Sequence, residues 1–153
     1  MHRHVKGAPL ALGAALGALA LAMPAAAPAQ DAPSAKLTAS LTGSAQTKGG
    51  DENGAGLFEG RIDPSEGEIC YTLTVSNIEP ATAAHIHSGG PGDSGPPVVT
   101  LETPGDAPDD ADEECQDIDR GLAQSIAAEP AKYYVNVHNA SFPGGAIRGQ
   151  LGK

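Results

Sequence analysis

The chain has no tryptophan, only two phenylalanines and only three tyrosines. Its core must therefore be built from Val, Ile, Leu and Ala, each of which buries less surface than an aromatic ring. Basic residues are also scarce, nine Lys and Arg against nineteen Asp and Glu, for a net charge of −10. Phosphate recognition draws on clustered lysines and arginines, so this balance excludes nucleic acid and anionic membrane surfaces as partners. Cysteine occurs only twice. Long apolar runs are confined to the first 29 residues.

That opening stretch reads as a secretory signal. His2, Arg3, His4 and Lys6 give a basic start, Leu10 to Ala22 an apolar run, and Ala27-Pro28-Ala29 small residues at the −3 and −1 positions. Cleavage is expected between Ala29 and Gln30. The run of roughly 13 residues is too short to cross a bilayer, which takes roughly 20. No cysteine follows it to accept a lipid, and no apolar tail closes the chain. The expected product is soluble and either secreted or periplasmic. Losing Arg3 and Lys6 leaves seven basic residues against nineteen acidic ones, a net charge of −12.

In an exported protein the even pair Cys70 and Cys115 reads as one disulfide. Closing a loop of that length stabilises a fold by about 4 kcal/mol in the chain-entropy model. The alternative, thiolate metal ligands, lacks partner histidines at zinc-site spacing near either cysteine.

Residues 30–36 read as a linker and 37–151 as one domain. Strands are expected over 37–41, 57–62, 68–78, 82–87, 97–102, 132–139 and 146–151, from period-two alternation bounded by Gly and Pro. A short helix is expected over 121–128, capped near Asp119 and ended by Pro130. Residues 103–119 read as an acidic loop. Many short strands with at most one helix point to an all-β fold, an antiparallel Greek-key-like β-sandwich or barrel.

Alternation also assigns faces. Ala84 and Ile86 turn inward, so His85 and His87 point the other way. Tyr133, Val135 and Val137 form an apolar face opposite Tyr134, Asn136 and His138. Ile147, Gly149 and Leu151 turn inward opposite Arg148 and Gln150. If these strands are neighbours, His85, His87, Asn136, His138, Arg148 and Gln150 form one polar constellation. Three neutral imidazoles from two strands suit a single copper or zinc ion. Copper/zinc superoxide dismutases use an HxH strand in this way, but they need six histidines and an aspartate. Only three histidines lie beyond the leader, so a dinuclear site is excluded. The competing reading is a hydrogen-bonded polar layer that fixes the sheet edge, and a third is a face for an organic or glycan ligand.

The pair of segments Ala84-His-Ile-His87 and Tyr133-Tyr-Val-Asn-Val-His138, the latter followed by Phe142-Pro-Gly-Gly-Ala-Ile-Arg-Gly-Gln-Leu151, resembles the CHRD domain, the module named after its repeats in chordin. The resemblance spans Leu37 to Leu151. It implies a fold and an extracytoplasmic location more than an activity. Where family members often carry an acid before Ile-Arg-Gly-Gln, this chain has Ala146.

Other motifs are weaker. Gly90-Pro-Gly-Asp-Ser-Gly95 satisfies GxGxxG, but the prolines around it forbid the helix that would present a phosphate site. Its Asp-Ser-Gly, with His85, is similar to parts of trypsin-like proteases, but the spacing is far too short for their two-barrel arrangement. Eight carboxylates between Asp106 and Asp119 read as a solvated loop before a Ca²⁺ site. Asn139-Ala-Ser141 is a glycosylation sequon in a eukaryotic host. The expected function is an exported, non-enzymatic binding or structural module of the periplasm, cell envelope or extracellular space, with a protein, a glycan or a metal ion as partner. The alternative is a mononuclear copper- or zinc-binding protein using His85, His87 and His138. A serine hydrolase built on Ser94 is the least supported.

Overall fold

The computed structural model describes residues 33–105 and 112–153. The signal-sequence reading and the Asp106–Asp110 part of the acidic loop lie outside them. Eight strands form one curled antiparallel sheet: β1 (Ala35–Thr42), β2 (Ala55–Asp63), β3 (Glu68–Ser76), β4 (Ala81–Ser88), β5 (Pro97–Leu101), β6 (Glu114–Asp117), β7 (Tyr133–Asn139) and β8 (Ile147–Gln150). Their order across the sheet is β5-β4-β7-β8-β1-β2-β3-β6. The all-β class is as expected. The first strand begins at Ala35, inside the segment read as a linker.

The concave side is the core. Leu37, Ala39 and Leu41 from β1, Phe58 and Ile62 from β2, and Ile69, Tyr71, Leu73 and Val75 from β3 are buried there. Ala84, Ile86, Val99, Leu101, Val135, Val137, Ile147 and Leu151 complete it. The alternation of each strand thus places one side chain in two inside. Phe58 stacks on Tyr71 with ring centroids 5.5 Å apart, which partly offsets the shortage of aromatics.

The helix α1 (Arg120–Ala128) starts where expected, because the Asp119 side chain accepts from the Leu122 N–H at 2.9 Å. It buries Ala123, Ile126 and Ala127 and packs on β2 and β3. No helix among the described residues is long and apolar enough to cross a membrane.

One strand was not legible. β6 lies in the stretch read as loop, since its Glu-Cys-Gln-Asp buries no apolar side chain. Pairing with β3 and the disulfide hold it: Cys70 and Cys115 lie directly opposite each other in the ladder and are bonded. The two edges of the sheet then meet. Gln116 Nε2 on β6 donates to the Thr100 carbonyl on β5 at 2.9 Å. The Glu102 N–H donates to the Tyr71 hydroxyl at 2.9 Å. Side chains, not a strand ladder, close the seam.

Because the bridge closes a loop of sequence separation 45, replacing both cysteines by alanine is expected to lower stability by about 4 kcal/mol. Urea unfolding of the two forms checks this, and an unchanged midpoint would refute it.

Candidate functional site

The strands β4, β7 and β8 are adjacent, as the polar constellation requires. His85 pairs with Asn136, His87 with Tyr134 and Ala83 with His138 across β4 and β7. Asn136 pairs with Arg148, and Tyr134 with Gln150, across β7 and β8. All six residues therefore share the convex face. That face is not open to solvent, however. Arg148 is 3%, Asn136 4% and His87 9% exposed, because the loops around residues 46–49, 89–95 and 142–145 lie over it.

Arg148 and Gln150 hold this cover. Arg148 donates from Nη1 to the Asp93 carbonyl at 2.6 Å and from Nη2 to the Gly90 carbonyl at 2.9 Å. Gln150 Nε2 shares its hydrogens among the carbonyls of Gly89, Ala131 and Tyr133, at 2.7–2.8 Å. Tyr134 lies between two layers. The Arg148 guanidinium sits 3.4 Å from its ring centroid, and His87 stacks on it at 4.9 Å. Its hydroxyl accepts from the Gly95 N–H at 3.2 Å. Gly95 tolerates no side chain, because a Cβ there would collide with the Ser88 carbonyl. Gly145, at φ 131°, lets its loop pass beside Gln46 and Asn136. The polar-layer reading thus describes Arg148 and Gln150 well, although their strand is central and not an edge.

The three histidines are different. Their ligand atoms lie within 4.8 Å of one another. His87 Nδ1 is 2.9 Å from the Gly95 carbonyl, and His138 Nδ1 is 3.0 Å from the Pro143 carbonyl. A carbonyl only accepts, so each Nδ1 carries the hydrogen and each Nε2 keeps a lone pair. Both Nε2 atoms are buried without a partner, as is His85 Nδ1. Buried polar atoms are ordinarily satisfied, so three orphans in one cluster require an explanation. A zinc or copper ion supplies one. Carbonyl-anchored imidazoles presenting the opposite nitrogen are the usual arrangement around such ions. Tetrahedral bonds of 2.0–2.1 Å put ligand nitrogens roughly 3.4 Å apart, so the rings would draw inward by about an ångström.

Electrostatics favours the neutral, ligating form. Burial is the main cause holding His85 below the ordinary imidazole range, and repulsion from His138 and His87 adds to it. His87 is lowered chiefly by burial, opposed by its bond to Gly95 and reinforced by His138 and Arg148.

Of the other candidates, Ser94 lines a groove that His87 and His138 also border. The Ser94 hydroxyl bonds to that of Thr47 at 3.0 Å, and no imidazole among the described residues bonds to it. Asn139 is 1% exposed, with Oδ1 accepting from the Phe142 N–H at 2.8 Å, so the asparagine of the sequon is buried. Tyr134 belongs to the site although alternation only placed it on the right side. Gln46, which donates to Asn136 Oδ1 at 2.6 Å, comes from a loop that carried no signal.

With this geometry in hand, comparison with protein families matches the chain to the CHRD domain, over residues 37–151. The chain belongs to the CHRD domain family. No curated protein and no solved structure matches it. Membership supports a small binding or structural module, and the CHRD face described above is where its own residues offer chemistry.

Two outcomes test the site. Arg148→Met removes the guanidinium donor to the Asp93 and Gly90 carbonyls, the latter keeping only the Asp93 N–H, and a loss of about 2–4 kcal/mol in urea unfolding is expected. A change within experimental error would show that the cover does not depend on the guanidinium. For pH, the folded pKa values of His85 and His87 lie below their unfolded ones. The stability they contribute is therefore complete above the unfolded value, about 6.5, and is lost as pH falls below it. Metal-free protein is expected to unfold at lower urea at pH 5 than at pH 7.5, with a smaller difference in the His85→Gln, His87→Gln double variant. Equal differences in both would contradict the assignment.

Proposed function

We propose that this CHRD domain is an exported, non-enzymatic binding module that carries a single zinc or copper(II) ion on His85, His87 and His138. One observation carries the reading: three buried imidazole nitrogens converge without partners, two of them with the opposite Nδ1–H anchored to a backbone carbonyl. Three imidazoles leave one position open on a four-coordinate ion, the arrangement of a site that presents its metal to something else. The disulfide supports an oxidising compartment, consistent with export. The absence of a base on Ser94 among the described residues supports a binding role over a hydrolytic one.

The purely structural reading retains one specific support, the bonds of Arg148 and Gln150 to main-chain carbonyls. It accounts for the cover over the face but not for the three orphaned nitrogens.

Elemental analysis of protein purified from its native compartment is expected to give about one zinc or copper per chain. Calorimetric titration of metal-free protein is expected to give an affinity that falls about 100-fold in His85→Ala, at least as much as losing an outer-shell partner costs. A protein that carries no metal and binds zinc and copper no better than His85→Ala would overturn the proposal.

A further inference from the structure

A groove of about 370 Å³ borders the histidine cluster, with His87 and His138 in its wall. Its volume falls at the lower end of ligand pockets, which run from about 300 to 1,000 Å³. Its charge is unlike that of the rest of the chain. The lining contains no Asp or Glu, although the chain has nineteen of them. Lys48 stands exposed at the groove and forms no ion pair among the described residues. Arg148, also in the wall, is bonded to carbonyls, so no carboxylate neutralises it. Glu79, whose carboxylate accepts from the Ser141 hydroxyl at 2.7 Å, lies outside the lining. An acid-free wall holding two cations without counter-ions favours an anion, most of all beside a bound metal.

The wall also offers an unused donor. Asn136 is 96% buried and lines the groove, and Gln46 occupies its Oδ1. Its Nδ2 has no protein acceptor among the described residues. Asn136, Lys48 and the rings of His87 and His138 line one groove, a combination that matches carboxylate oxygens and does not match an apolar or cationic ligand.

We infer that the groove binds a small organic acid, one carboxylate completing the coordination of the metal and accepting from Asn136 while Lys48 holds a second negative charge. This rests on the metal reading above. The site is then a ternary one, for a small di-anion such as succinate, and Lys48 sets its charge preference.

The test is calorimetry in two stages. Zinc loading is measured first in the wild type and in Lys48→Glu, which alters an exposed side chain that is not one of the three ligands. Zinc-loaded protein is then titrated with succinate and with the neutral succinamide. Succinate is expected to bind and succinamide not, with the succinate affinity falling about tenfold in Lys48→Glu at unchanged zinc stoichiometry. Added salt is expected to weaken the succinate complex, as the exposed lysine is screened. Failure to load zinc would overturn the metal reading. Normal loading with no succinate binding, equal binding of the diamide, or equal binding by Lys48→Glu would overturn the organic-acid site alone.

Discussion

A buried guanidinium with no carboxylate partner is the constraint from which the convex face follows. Arg148 lies flat on Tyr134 and is bonded to carbonyls of the loop that crosses above it. An unpaired charge in such a position is costly unless every donor is directed at an acceptor. Here the acceptors are main-chain oxygens, so the loop between β4 and β5 can lie in only a narrow range of positions. That same loop supplies the Gly95 carbonyl that orients His87. The arginine therefore acts on the imidazoles through the backbone and through its field.

This arrangement divides the face between two kinds of polar residue. Arg148 and Gln150 donate to main-chain carbonyls and serve as fasteners. His85, His87 and His138 keep lone pairs free inside the cover, and burial disfavours protonation of the first two. A sheet face filled only with fasteners would be rigid and chemically inert. One filled only with imidazoles would have little to hold its loops in place. The CHRD segment Ile147-Arg-Gly-Gln150 lies beside Tyr134 and Asn136, so that the two kinds interleave.

The parts of this picture that could be read from sequence are those that depend on alternation. Ile86, Val135, Val137 and Ile147 are apolar at every second position, and that fixed which way His85, His87, His138 and Arg148 point. What escaped was set by contacts distant along the chain. The face was expected to look outward, because strand periodicity says nothing of loops that fold back over it. Gln46 reaches Asn136 across 90 positions, and no local pattern marks such a pairing. β6 escaped for the opposite reason: its residues are polar throughout, and a covalent bond with main-chain pairing replaces the apolar face by which strands are recognised.

The seam between β5 and β6 has a consequence for association between molecules. Strands at the ends of an open sheet display free amide and carbonyl groups, which invite pairing with other chains. Here each rim is turned toward the other, with the Gln116 amide and the Tyr71 hydroxyl filling the gap. The crosslink through Cys115 keeps the outermost ribbon in place. Oxidation thereby guards solubility as well as stability: a thiol-reducing environment would loosen one rim, uncover the other, and leave two adhesive borders exposed.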